Sequence, residues 1–228
     1  MLSAAELEAL SLSLSVALRS VLASVPCAIF VAWWLARSRS HGRLLLDAVV
    51  HLPLVLPPVV IGYLLLVIFG MRGWLGSWLY GTFGIQLIFT RAGAALATAV
   101  MTFPLVVRAI RISLEGADPG LEEAARTLGA GPWDRFFTIT LPLMLPGVLA
   151  GAIIAFAAGL GEFGAVITFV SNIPGETRTL PLALYTALQT PGGDAMAARL
   201  AAISFTLGLG GLLVSELIAR RMRRAMGR

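Results

Sequence analysis

Five long apolar runs constrain this chain more than any other feature of its sequence. A helix needs about 20 apolar residues to cross the roughly 30 Å hydrocarbon core of a bilayer, and the runs have about this length or more. They do not alternate with a period of two residues, so helices are favoured over barrel strands. We predict an all-α integral membrane protein, one domain over residues 1–228. Its spans are 11–36, 44–70, 92–110, 143–170 and 196–219.

The charges indicate an orientation. All 17 basic residues are arginines, the net charge is +5, and most arginines follow the end of an apolar run. This distribution is typical of topology-setting charges and not of a nucleic-acid-binding face. With five spans, the arginines of the first connection, the third connection and the C-terminal tail share one side. The positive-inside rule then predicts a cell inner-membrane protein with a periplasmic N-terminus and a cytoplasmic C-terminus.

The third connection, about residues 111–142, carries signals for a short helix. Asp118 is placed to cap it, Pro119 suits its first position, and Gly129 suits the left-handed residue that ends it. The apolar positions follow the i, i+3, i+4, i+7 spacing of an amphipathic helix: Leu121, Ala124, Ala125 and Leu128. A helix of about ten residues is marginal alone. The spacing leaves open whether a partner receives it or whether it only joins two spans.

The same connection resembles the EAA loop of ABC-importer permeases, written E-A-A-x3-G-x9-I-x-L-P. The matching residues are Glu123, Ala124, Ala125, Gly129, Ile139, Leu141 and Pro142. In that family the loop forms a coupling helix that docks into a groove on the ATPase subunit. The resemblance therefore implies the type I ABC importer permease fold, with Glu123, Ala124, Ala125 and Gly129 as the docking core. The amphipathic spacing adds Leu121 and Leu128 to the predicted coupling loop.

Four further segments resemble the molybdate-importer permease subunits in particular: residues 51–58, 161–164, 171–179 and 188–193. The resemblance implies molybdate uptake by alternating access, with sulfate/thiosulfate or tungstate as the alternative cargo. It also implies four kinds of partner. These are a second copy forming a homodimer, a cytoplasmic ABC ATPase dimer, a periplasmic molybdate-binding protein and membrane lipid.

The energy for uptake must come from another chain. Moving a dianion into a negative interior costs about 2.3 kcal/mol per charge per 100 mV. The sequence contains no lysine, so it has no phosphate-gripping P-loop lysine. We therefore expect no cofactor on this chain, with ATP and Mg²⁺ on the partner ATPase. An enzyme is disfavoured, because no nucleophile–base pair or cluster of metal ligands is evident. A membrane-embedded enzyme and an assembly or anchor protein are the alternatives from other classes.

Four residues are candidates for a gate or translocation path. Glu162 falls deep in the fourth run, where a carboxylate is costly and usually functional. Pro57 and Pro58 interrupt the second run, and Ser171 begins an outer loop. We expect Glu162 to act in gating or structure, since its charge would repel an anion. A helix-end carboxylate bonded to a neighbouring group is the structural interpretation of the same residue. We predict no metal site.

Overall fold

The computed structural model describes residues 2–38, 40, 42–118 and 120–225, with side chains of the last helix to residue 217. All regular secondary structure in these ranges is helical, as the apolar runs predict. Pro119 and the residues after 225 lie outside them. The helices are α1 Ala4–Arg37, α2 Gly42–Val55, α3 Pro58–Phe69, α4 Trp74–Phe83, α5 Arg91–Glu115, α6 Gly120–Thr127, α7 Pro132–Arg135, a π-helix Phe136–Thr140, α8 Leu141–Leu160, α9 Gly164–Val170, α10 Leu180–Gln189 and α11 Asp194–Ala225.

Four helices in the described residues are long and apolar enough to cross a bilayer: α1, α5, the continuous stretch from α7 to α8, and α11. The second apolar run is not one straight helix. It divides into α2 and α3, which are bent by 118°. The helix breaks at Pro57 because the proline ring fixes φ and leaves no N–H to continue the helix. Pro58 then opens α3, since proline suits the first position of a helix. Counting this bent pair as one span gives the predicted five.

The two helices of the bent pair contact different parts of α5. Near the start of α2, Asp47 Oδ1 lies 3.1 Å from Arg111 Nη1, close to the end of α5. Ile61 of α3 belongs instead to the buried cluster that contains Ala94, close to the start of α5. α2 therefore contacts α5 near its end, and α3 belongs to the cluster at its start.

The first and third connections lie at one end of the bundle, and the N-terminus lies at the other. At one end, Arg37 in the last turn of α1 is hydrogen-bonded to Glu122 of α6. We call this the Arg37 end. At the opposite end, Glu6 in the first turns of α1 pairs with Arg199 of α11 at 2.7 Å, and Glu6 is fully buried. We call this the Glu6 end.

The fourth apolar run also differs from a single helix over 143–170. The helix starts earlier, at Pro132, and passes through the π-helical turn before Pro142, where Leu141 N–H reaches the Phe136 carbonyl five residues back. It then ends at Leu160, and residues 161–163 separate it from α9. The irregular part of the third connection is consequently short.

Candidate coupling surface and translocation elements

The short helix α6 is defined by its two ends. At its start, Asp118 Oδ1 accepts the Gly120 N–H at 2.8 Å. At its end, Gly129 has φ +88° and donates to the Arg126 carbonyl at 3.1 Å. Ala130 N–H reaches the Ala125 carbonyl at 3.0 Å. These two bonds form a Schellman motif, which requires a left-handed residue at Gly129. The predicted cap and the predicted left-handed glycine are both confirmed.

The outer face of α6 is uncovered, and none of its residues is buried. Leu128, just past its end, is 88% exposed and Leu121 is 47% exposed, with Ala124 between them also exposed. Among the described contacts, Glu123 makes no hydrogen bond or ion pair. An apolar stripe beside a free carboxylate, on a helix too short to be stable alone, fits a surface that a partner covers.

Glu122 fixes the inner face of α6 to the membrane helices. Its carboxylate Oε1 accepts a hydrogen bond from Arg37 Nη2 and another from the hydroxyl of Thr140 at 2.8 Å. Thr140 is buried at the junction of the π-helix and α8. The position of Glu122 in the first turn of α6 suits an acidic residue, because the N-terminus of a helix carries partial positive charge. Arg37, the partner of Glu122, is 85 residues away, so no local spacing signals the pair.

The last three residues of the EAA pattern do not share the α6 surface. Ile139, Leu141 and Pro142 lie on the continuous helix that follows, where Ile139 and Leu141 are half-buried and Pro142 is exposed. Phe136, in the same π-helical turn as Ile139, packs edge-on against Trp33 of α1, with ring centroids 5.8 Å apart. These residues therefore lie on the helix that continues into α8 and not on the exposed face of α6.

We expect the two neighbouring glutamates of α6 to behave differently. Glu122→Gln removes the charge that Arg37 and Thr140 share, at a cost of about 1 kcal/mol for this part-exposed pair, and lowers the melting temperature of the purified permease by a few degrees. Glu123→Gln, the matched control, leaves that temperature unchanged. Thermal unfolding of both variants checks this. Equal melting temperatures for wild type and Glu122→Gln would show that the pair does not hold α6.

The four candidate path residues gather around α9. Gly164 opens α9 so close to α3 that an added Cβ would lie 2.8 Å from the Pro58 Cβ. Glu162 Oε1 accepts the Ala165 N–H at 3.0 Å and so caps the first turn of α9. This is the contact expected if Glu162 has the structural role considered above, that of a carboxylate at a helix end bonded to a neighbouring group. Pro57 precedes α3 beside it.

Ser171 ends α9 in an unusual backbone conformation. Its φ is +65° and ψ is −168°, a region that non-glycine residues rarely adopt. The conformation is held from the following loop, because the Thr177 hydroxyl donates to the Ser171 carbonyl at 3.0 Å. Strained residues of this kind cluster at functional sites. In the described residues, no group of three or more histidine, cysteine or acidic side chains is arranged to hold a metal ion.

This chain is similar to permease proteins of bacterial transport systems. The molybdenum transport system permease protein ModB of Escherichia coli K12 is 61% identical over 98% of this chain and 97% of its own length. The ModB protein of Haemophilus influenzae is 59% identical over 97% of each chain. The sulfate transport system permease protein CysW of a Synechocystis strain is more distant, at 38% identity over 93% of this chain and 76% of its own.

The fold and the family agree with these similarities. A chain from the crystal structure of a bacterial alginate ABC transporter in complex with a periplasmic protein matches with a TM-score of 0.75 and 19% identity. The match covers 96% of this chain and 80% of that one. The fold is accordingly that of type I ABC importer permeases. The family described as binding-protein-dependent transport system inner membrane component matches residues 24–224. This chain therefore belongs to that family of ABC importer permeases, and it is a transport subunit rather than an enzyme.

Proposed function

We propose that this chain is the permease subunit of an ATP-driven, binding-protein-dependent importer of molybdate. The observation that carries the proposal is the 61% identity to a molybdenum transport permease over nearly the full length of both chains. The sulfate permease relative is much less similar, at 38%. Sulfate, thiosulfate and tungstate are thus the alternative cargoes, all of them oxyanions.

The outer face of α6 is the proposed docking surface for the ATPase. Three features of this helix support the proposal: its apolar stripe is exposed, Glu123 has no described partner, and the Schellman end at Gly129 gives the helix a defined length. The docking residues would be Leu121, Glu123, Ala124, Ala125, Leu128 and Gly129. Ile139, Leu141 and Pro142 would transmit force from this surface into α8. ATP and Mg²⁺ would bind on the ATPase partner.

The proposed orientation places the Arg37 end in the cytoplasm and the Glu6 end in the periplasm. Arg37, Arg111, Arg126 and Arg135 lie at the Arg37 end, in agreement with the positive-inside rule. The loop between α9 and α10, which Arg91 contacts through the Gly175 carbonyl, would then face the periplasmic binding protein. The C-terminus of α11 would be cytoplasmic.

Transport is proposed to proceed by alternating access in a homodimer. α11 has only 6% of its most apolar stretch buried, against 61% for α5, so the monomer leaves an apolar face for lipid or for a second copy. ATP binding would draw the two α6 helices together and open the path toward the binding protein. Pro57, Pro58, Glu162 and Ser171 would move with this change, because they surround the contact between α3 and α9.

The proposal is tested by uptake of molybdate into cells that make this chain with its ATPase and binding protein. We expect uptake to require all three components and to withstand an excess of sulfate. The control is a complex in which the partner ATPase is inactive and this chain inserts normally into the membrane. Uptake abolished by sulfate would reassign the cargo to sulfate. No ATPase-dependent uptake of any oxyanion by the inserted complex would contradict the importer function itself.

A further inference from the structure

A polar pocket of about 400 Å³ lies between the end of α1, the start of α2, α6 and α7. Of its lining residues, only Glu123 also belongs to the proposed docking surface. Four guanidinium groups and two carboxylates line it, which leaves a formal excess of two positive charges. The charged lining residues are Arg37, Arg43, Glu122, Glu123, Arg126 and Arg135.

The carboxylates of the protein do not satisfy these arginines. Glu122 is already shared between Arg37 and Thr140. Arg43 approaches only Glu115, at 3.9 Å, with about a third or more of each side chain exposed. An exposed pair at this distance contributes little. The positive charge of the pocket is therefore largely uncompensated.

The two arginines on the α6–α7 side provide the most direct evidence for an anion site. Arg135 has a buried Nε–H with no hydrogen-bond partner, and a buried unsatisfied donor is costly. Arg126 has no ion pair among the described residues. An anion in the pocket would provide an acceptor for the guanidinium groups of both residues, because both line it. Guanidinium groups in this number suit a phosphate, whose oxygens accept paired N–H bonds.

Aromatic side chains place the pocket at the level of the lipid headgroups. Trp33, one turn before the Arg37 end of α1, packs on Phe136. Trp133 and Phe137 stack on each other nearby and are 74% and 58% exposed. Tryptophan and other aromatic rings gather at the membrane–water interface. The anion that is abundant at this depth is the phosphate of an anionic phospholipid.

We propose that this pocket binds the headgroup phosphate of an anionic phospholipid, with Arg126 and Arg135 as its principal contacts. The lipid would neutralise the cluster and leave the apolar stripe of α6 uncovered, because Leu121 and Leu128 do not line the pocket. Basic pockets at the cytoplasmic side of membrane proteins take such headgroups. Only the assignment to the cytoplasmic leaflet rests on the proposed orientation. Binding in detergent is independent of orientation and of transport.

The test is lipid retention by the purified full-length permease–ATPase complex, measured by native mass spectrometry. The probes are phosphatidylglycerol, phosphatidylcholine, inorganic phosphate and molybdate. We expect phosphatidylglycerol to be retained over phosphatidylcholine, and the double variant Arg126→Gln, Arg135→Gln to bind it at least tenfold more weakly, from a roughly fivefold effect per arginine. Arg72→Gln is the matched control, because it removes an arginine outside the pocket lining.

Three outcomes would overturn the proposal. Equal retention of the two lipids would exclude a headgroup site for anionic lipid. Equal weakening by Arg72→Gln would indicate a general effect of net charge. Competition by inorganic phosphate or molybdate, with no preference for phosphatidylglycerol, would reassign the pocket to a free oxyanion. Molybdate uptake in the double variant is measured separately, so a failed transport assay is not mistaken for a failed lipid site.

Discussion

Replacing Gly129 with valine is expected to reduce ATP-driven uptake at least tenfold while leaving the permease in the membrane. Gly129 has φ +88°, and a β-branched residue is strained there by about 1–3 kcal/mol. The strain opposes the Schellman bonds that end α6, so the helix would lose its defined end and its fit to the ATPase. Because no residue of α6 is buried, insertion and folding of the spans should be unaffected. Uptake is measured per inserted permease, together with ATPase association.

Two substitutions separate backbone strain from a simple increase in size. Gly131→Val adds the same side chain two residues later, where φ is −67°, and an added Cβ meets no atom within 4 Å at either glycine. Gly129→Asn enlarges the residue but tolerates the left-handed region. We expect both to retain most of the uptake. Full uptake in Gly129→Val would refute the role of the helix end, and equal loss in Gly131→Val would point to bulk rather than strain.

Replacing Gly62 with alanine is expected to lower the stability of the permease by about 1–3 kcal/mol and to impair uptake. An added Cβ would lie 2.7 Å from the Ala165 carbonyl oxygen and 2.7 Å from the Thr168 Cβ. The obstructing oxygen is backbone, so no side-chain rotation relieves the overlap. α3 would have to move away from α9, the helix that Glu162 caps and Ser171 ends. Thermal unfolding and uptake of the same preparation measure the two effects.

Gly81→Ala is the control for that substitution. Gly81 is a helical glycine of α4, and an added Cβ there meets nothing within 4 Å. Alanine is favoured over glycine in a helix by roughly 0.5–1 kcal/mol, so we expect unchanged or slightly higher stability. If Gly62→Ala unfolds at the wild-type temperature, the contact between α3 and α9 is looser than described. If it is destabilised but transports normally, α9 is not part of the gate.

Local signals predicted the features that depend on one or two turns of chain. A long apolar run implies a helical span, because backbone N–H and C=O groups in lipid must bond within the segment. The end of α6 was equally local: Gly129 adopts the left-handed conformation that few other residues tolerate. The family pattern around it added the proposed docking role, which spacing alone left open.

The same local signals failed where a run is interrupted. Residues 44–70 and 143–170 are each predicted as one apolar span, yet the first bends by 118° at Pro57 and the second breaks at residues 161–163. Hydropathy indicates that a segment lies in the membrane, but it does not indicate the direction in which the helix runs there. Proline at a break is visible in the sequence, but Pro26, Pro104 and Pro146 lie inside helices that continue.

By itself, the sequence determined the helical membrane class, the apolar spans and the short helix that ends at Gly129. Only the tertiary structure brought Pro58 against Gly164, joined Glu122 to Arg37 and assembled the arginine pocket. Each of these contacts joins residues far apart in sequence. They depend on which helix faces pack together, and helix spacing reaches only three or four residues along the chain. Glycines such as Gly62, which faces the Ala165 carbonyl oxygen, permit this close packing, but their spacing does not name the helix that they face.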